Sequence, residues 1–148
     1  MKKFYLAYGS NLNKGQMRMR CPGAVPVGTA EIKGYQLLFK GSRTGSYLTI
    51  EKKKGSVVPV GVWEVDERHE RYLDVYEGYP SFYYKKDMKV TLKETQQQID
   101  AFVYIMHEER PLGMPSEFYV RVCEAGYEDF GFNAKYLRAA IKASQGGN

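Results

Sequence analysis

The sequence predicts an α+β fold: a strongly curved, barrel-like mixed β-sheet with helices packed outside it. Strand-like segments come first, a single helix interrupts them, and helices close the chain. Strands and helices do not alternate regularly, as a doubly wound parallel sheet would require. The aromatic content, 13 Tyr and 7 Phe, falls largely in alternating runs, the pattern of pleated strands. The 148 residues fit one domain spanning 1–148. A chain of this length buries roughly 68–70% of its unfolded surface, so it needs no metal or disulfide to fold.

Residues 4–8 read as the first strand, ended by Gly9. Asn13 can cap a short helix reaching about Cys21, with Gln16 in the reciprocal capping-box position, and Pro22-Gly23 stops it. Residues 25–30 and 35–40 are the next strands, followed by 47–51 and 57–65, with 52–56 as a hairpin turn between the last two. Asp66 is placed as the N-cap of a helix through Tyr76, with Tyr72, Val75 and Tyr76 on one side; Gly78 and Pro80 end it. Tyr84, Met88, Val90 and Leu92 alternate approximately with polar residues, so one face of that strand is wet. Residues 99–106 are apolar on both faces and predict a central strand. After the loop 110–115, Ser116 can cap a helix to about Ala125, with Gly126 past its end. Asn133 can cap a last helix with Leu137, Ala140 and Ile141 as its apolar stripe, and 144–148 form a frayed tail.

Composition narrows the function classes. Cys21 and Cys123 are far apart and form no CxxC pair, as expected for free thiols in a reducing compartment. The N-terminus, Met1-Lys2-Lys3, leads into Phe4-Tyr5-Leu6-Ala7 and then polar residues, without a signal-peptide apolar core, and no run approaches the ~20 apolar residues of a membrane span. A cytoplasmic protein with no membrane partner is expected. The net charge of +5 raises nucleic acid as a partner, but the one dense basic run, Lys52-Lys53-Lys54, sits at an expected turn without any recognised nucleic-acid motif. No nucleic-acid partner is therefore expected. His69 and His107, the only histidines, form no metal-ligand spacing, and Ser10 lies in no nucleophile elbow.

Two segments carry chemistry. In Tyr8-Gly9-Ser10-Asn11-Leu12 a strand runs into a helix start through a glycine; successive N–H groups there suit an anion, and Ser10 and Asn11 add hydrogen-bonding side chains. Taken alone, the segment is equally an ordinary tight turn. In Tyr76-Glu77-Gly78-Tyr79-Pro80 a carboxylate stands at a helix C-terminus among Tyr76, Tyr79, Phe82 and Tyr83. The helix dipole and loss of water both disfavour its charged form, moving its pKa toward that of a neutral-pH acid/base. Taken alone, Glu77 reads as a solvated loop residue, the usual place of a single glutamate, and its local chemistry does not overturn that.

The first segment resembles the YGSN loop of the γ-glutamylcyclotransferase family, which includes AIG2-like and γ-glutamylamine cyclotransferase branches; glutathione-specific relatives usually carry YGSL, so Asn11 leans away from them. Leu73-Asp74-Val75-Tyr76-Glu77-Gly78 resembles the family's helix-end "L…E-G" segment, and Val60-Gly61-Val62-Trp63-Glu64-Val65 its preceding strand. The resemblance implies a curved, barrel-like cyclotransferase fold and an enzyme acting on a small γ-glutamyl amide. It implies Glu77 as general acid/base, with the loop residues Tyr8, Gly9, Ser10, Asn11 and Leu12 binding substrate. Tyr104 falls where the family has a strand tyrosine, and Tyr119 follows Pro115-Ser116 as in the family's closing segment; either could bind substrate or simply pack in the core. No cofactor, metal or covalent nucleophile is implied. Some relatives release a γ-glutamyl protecting group from a biosynthetic intermediate. Arg43 or Arg110, in the variable loops 41–46 and 110–114, would suit an anionic leaving group. Two rival readings remain: a non-catalytic binding module on the same scaffold, which the retained Glu77 disfavours, and a basic small barrel that stacks RNA on tyrosines.

Overall fold

The computed structural model describes residues 2–42 and 45–145. Its elements run β1 (Lys3–Ala7), a 3-10 turn (Ser10–Leu12), α1 (Lys14–Arg20), β2 (Val25–Ser42), β3 (Gly45–Val65), α2 (Glu67–Glu77), β4 (Tyr83–Thr91), β5 (Gln98–Met106), α3 (Glu117–Phe130) and α4 (Lys135–Gln145). One five-stranded sheet has the order β2-β3-β1-β5-β4. β1 and β5 are parallel and the other neighbours antiparallel, so the sheet is mixed. Its two edges approach at one corner, where Lys93 N–H donates to Thr29 O at 2.9 Å. There the Glu94 carboxylate also takes the Thr29 N–H (2.9 Å) and hydroxyl (2.5 Å). This clasp curves the sheet without closing it into a barrel. Among the described residues no helix is long and apolar enough to cross a membrane.

The expected separate strands at 25–30, 35–40, 47–51 and 57–65 merge into one long hairpin of β2 and β3. The turn expected at 52–56 is a bulge: Lys33 pairs with Val57 and Tyr35 with Lys52, so Gly34 alone stands opposite residues 53–56. Long-range pairing overrides the local turn chemistry there. The hairpin's tip, including Arg43, lies outside the described residues, as does the end of the expected tail after Gln145.

In α2 the buried side chains are His69 and Leu73; Tyr72, Val75 and Tyr76 are exposed, with the Tyr76 hydroxyl 3.3 Å from Ser10 Oγ. Residues 69, 73 and 77 recur every fourth position, so Glu77 continues the inward stripe. Asp66 caps the helix as expected, accepting from His69 N–H at 2.9 Å, while the His69 ring returns the favour to the Asp66 N–H at 3.1 Å. Gly78, at φ +65°, ends α2 in a left-handed turn and leaves Glu77 as its last residue.

α3 runs five residues further than expected, and Gly126 is an interior residue rather than the stop. A Cβ on Gly126 would lie 2.7 Å from both Asn13 N and Leu12 Cβ, so the glycine is what lets α3 press onto the 3-10 turn. Gly131 ends the helix instead. β5 is central, as expected, and is buried along residues 101–106. Leu137 and Ala140 of α4 enter the core, and Ser144 is buried beside β2 with its hydroxyl 3.4 Å from Phe39 O.

Candidate active site

Parallel pairing brings the C-termini of β1 and β5 to the same end of the sheet, and the end of α2 hangs beside them. The result is a narrow pit lined by Tyr5, Tyr8, Gly9, Ser10, Asn11, Leu48, Glu77, Tyr83, Tyr104 and Tyr119. The two sequence motifs therefore meet in one cavity. Wider grooves lie elsewhere, one along β2 and β4 and one along β4 and β5, but neither gathers buried polar groups in this way.

The loop is held from below. Trp63 Nε1 donates to Asn11 O at 3.0 Å, and Asn11 Nδ2 donates to Tyr5 Oη at 2.9 Å. Asn13 accepts from Gln16 N–H at 3.0 Å, capping α1 as expected, and its amide donates to Val122 O of α3 at 3.1 Å. The reciprocal half of the capping box is not made, because Gln16 Oε1 accepts from Arg20 Nη2 at 2.7 Å. That contact steers Arg20 inward. Its Nη1 donates to Asn11 Oδ1 and lies 3.4 Å from Ser10 Oγ, and its guanidinium lies 3.8 Å above the Tyr76 ring. The first N–H groups of a 3-10 turn have no partner within the turn. A Cβ on Gly9 would come within 3.2 Å of Tyr119 Oη and narrow the pit further.

The tyrosines divide by what their hydroxyls do. Tyr8 donates to Tyr104 O at 2.7 Å and Tyr83 to Leu48 O at 2.8 Å. Tyr104 donates to Asp74 Oδ1 at 2.6 Å, and Lys85 bridges Asp74 (3.0 Å) and Glu70 (2.7 Å). Tyr119 accepts from Leu48 N–H at 3.1 Å. Tyr5 accepts from Asn11, and its own proton is not committed to another described residue. Burial raises the pKa of Tyr5, Tyr8, Tyr83 and Tyr119 well above the ordinary 10, so all four stay protonated.

Glu77 is half-buried, and no described residue hydrogen-bonds its carboxylate. Burial lifts its pKa from 4.5 to about 7, with the Arg20 cation pulling the other way. The desolvating walls are Tyr5, Tyr8, Tyr83, Tyr104 and Tyr119, not the neighbouring Tyr76 and Tyr79, which are 44% and 39% exposed. Leu12 stands apart from the other loop residues: its side chain is wholly buried in the core, and its N–H is spent on Gly9 O at 3.0 Å. Tyr104 and Tyr119 both reach the pit wall. Sequence reasoning missed Tyr5, Leu48 and Arg20. Only Arg20 left a signal, the i,i+4 spacing from Gln16 on a helix that starts directly after the loop.

Arg20 bears on the charge state of Glu77. Replacing it with methionine removes the cation that favours ionised Glu77, so the Glu77 pKa moves further above 7. The acid limb of a pH–rate profile in Arg20→Met is expected to shift alkaline by about half a unit to one unit. An unshifted limb would mean that Arg20 acts only by holding the loop.

The candidate site is therefore a pit in which one carboxylate, its pKa pushed up by burial, faces an amide- and hydroxyl-rich loop. A sequence model of the family described as gamma-glutamyl cyclotransferase, AIG2-like, matches residues 5–121. The chain belongs to that family. It is 30% identical over 142 residues to the gamma-glutamylcyclotransferase of Homo sapiens, covering 89% of this chain and 73% of that one. A solved gamma-glutamyl cyclotransferase superposes with a TM-score of 0.81 at 28% identity, covering 97% of this chain and 88% of that one. A crystal structure of an uncharacterized Homo sapiens protein superposes at 0.80 and 29% identity, covering 96% and 87%.

Proposed function

We propose that the chain converts a γ-glutamyl amide into 5-oxoproline and a free amine, with Glu77 as the sole acid/base. The observation that carries this reading is Glu77 lining one pit with the Gly9–Ser10–Asn11 loop, its pKa raised by burial to about 7. At that pKa both protonation states are populated near neutrality, as a group that takes and then returns a proton requires.

The substrate's γ-glutamyl unit folds back in the pit. Ionised Glu77 takes a proton from its α-ammonium group, and the freed nitrogen attacks the γ-carbonyl carbon. The new C–N bond closes a five-membered ring and places negative charge on the carbonyl oxygen. N–H groups of the loop and the uncommitted Tyr5 hydroxyl steady that charge. Glu77 gives its proton to the departing nitrogen as the old C–N bond breaks. The ring nitrogen sheds its second excess proton, so the amine leaves as an ammonium ion and the lactam is neutral at nitrogen. Because both reacting groups belong to one molecule, their effective concentration is already high, and folding the chain back is the main task left to the protein.

The test is a product assay on the purified protein. γ-Glutamyl-alanine, a γ-glutamyl-lysine isopeptide and glutathione are each supplied, and 5-oxoproline is measured. Turnover of at least one, with a kcat/KM that rises with pH through about 7 as Glu77 ionises, is the expected result. No 5-oxoproline from any of them would refute the reading.

A further inference from the structure

Asp74 stands one turn before Glu77 on α2 and meets the pit through one of its walls. Its Oδ1 accepts from the Tyr104 hydroxyl at 2.6 Å and lies 3.0 Å from Lys85 Nζ. Lys85 is held in turn by Glu70 at 2.7 Å and by the Tyr79 ring, 4.2 Å from the centroid, and Glu70 also meets Lys3 at 2.8 Å. The Asp74 backbone is fixed as well, because its carbonyl accepts from Tyr79 N–H at 2.9 Å in the turn that ends α2. The Tyr104 ring has little freedom: it packs on Tyr5 and Phe102 at 5.8 Å and on Tyr79 at 6.4 Å. A chain of ion pairs that starts at the surface therefore ends on a hydroxyl of the pit.

A tyrosine hydroxyl has one proton and two lone pairs. Burial, and next the Asp74 bond, hold the Tyr104 pKa far above the ordinary 10, so the proton stays on Tyr104. That proton is spent on Asp74, which is not a wall of the pit, and the oxygen offers only lone pairs to whatever enters. Tyr5 has the opposite character: it accepts from Asn11, and its proton is not committed to another described residue. The two ring centres are 5.8 Å apart, so the pit has an acceptor side at Tyr104 and a donor side at Tyr5 and the loop. A cation suits the first and a carbonyl oxygen the second.

We propose that Asp74 is a positioning residue: by taking the Tyr104 proton it makes Tyr104 an acceptor that holds the substrate's α-amino group beside Glu77. This rests on the cyclotransfer reading of the pit. The α-ammonium group donates one N–H to Tyr104 Oη and gives another proton to Glu77, so the freed nitrogen is still tethered when it attacks. Without the aspartate the hydroxyl turns its proton into the pit, where it opposes the ammonium group. Asp74 itself touches no substrate.

The shape-conserving variant is Asp74→Asn. Lys85 then takes the amide oxygen, the amide NH2 donates to Tyr104, and the tyrosine proton is turned toward the pit. Binding is measured by calorimetry in Glu77→Gln, to suppress turnover, for γ-glutamyl-alanine and for glutaryl-alanine, which lacks only the α-amino group. The expected preference for the amine is at least about tenfold. Adding Asp74→Asn or Tyr104→Phe removes most of it, and the two together remove no more than Tyr104→Phe alone. A merely structural role for Asp74 would weaken both compounds equally and leave the preference standing, which overturns the proposal. A preference that survives Tyr104→Phe overturns it whatever Asp74→Asn does, and so do losses that add in the double variant. An Asp74-dependent preference without 5-oxoproline from the natural protein would sink the cyclotransfer reading and keep the positioning role. Turnover with a preference indifferent to Asp74 would do the reverse.

Discussion

Glu77→Gln is expected to abolish nearly all turnover while making the protein harder to unfold at alkaline pH. Glutamine keeps the shape of the side chain but can neither take nor return a proton, so a loss of about 10²–10⁴-fold in kcat follows if Glu77 is the acid/base. The stability change has a definite sign. The Glu77 pKa is raised in the folded chain from 4.5 to about 7. Between those values the folded state binds more protons than the unfolded one, so stability falls as pH rises through the window. Below 4.5 the carboxyl is neutral in both states and burial carries no charge penalty; above 7 the full penalty applies. At about 1.4 kcal/mol per unit, and allowing for partial exposure, that penalty is about 1–3 kcal/mol. The amide does not bear it. Thermal unfolding at pH 8 is therefore expected to occur about 3–10 °C higher in Glu77→Gln, with the difference vanishing near pH 4. Undiminished activity would remove Glu77 from the mechanism. Equal melting temperatures at pH 8 would show that the carboxylate is solvated and that its pKa lies near 4.5.

This coupled prediction also marks what was legible beforehand. Glu77 has no local signal strong enough to separate it from a surface glutamate. Its four-residue spacing from His69 and Leu73 becomes informative only once the structure shows that this stripe faces inward. The apolar Tyr72, Val75 and Tyr76 draw attention to the opposite side, yet they are exposed, since the inner face of α2 is largely polar: Glu70 and Asp74 engage Lys3 and Lys85 there. Hydrophobicity is a poor guide on a helix that carries an ion-pair network. The loop, by contrast, was readable, because Gly9 and the Asn13 cap fix a strand-to-helix turn within a few residues.

What sequence could not supply is where distant elements touch. Tyr5 stands in the first strand like any core aromatic, and only pairing of β1 with β5 brings it beside Tyr104, 5.8 Å between ring centres. Leu48 enters the site because β2 and β3 form one long hairpin, a pairing that the glycine and lysines at 52–55 conceal. Register across such a hairpin is settled by the sum of its cross-strand contacts, not by any one turn-like segment.

Gly126 gives the second large effect. Its position in the sequence resembles a helix stop, and an ordinary Gly→Ala change inside a helix stabilises by about 0.5–1 kcal/mol. Here the sign reverses. A Cβ would lie 2.7 Å from Asn13 N, 2.7 Å from Leu12 Cβ and 2.8 Å from Leu12 C. Two of these are backbone atoms of the segment that ends the Gly9–Leu12 loop, and they are tied down. Leu12 N–H donates to Gly9 O, Asn13 N–H to Ser10 O, and the Asn13 side chain to Val122 O of the same helix. Relief requires α3 and the loop to move apart, at a cost of about 1–3 kcal/mol. The displacement is passed on to Asn11, whose carbonyl is held by Trp63 and whose side chain is held by Arg20 and Tyr5. Shifts approaching 1 Å in such a frame cost about 10²-fold in rate. Gly126→Ala is therefore expected to melt about 3–10 °C lower and to lose most of its activity while keeping Glu77, Tyr104 and Tyr119 intact. The same variant melting higher than the natural protein, as helix propensity alone dictates, would show that α3 does not clamp the loop and that another contact positions the site.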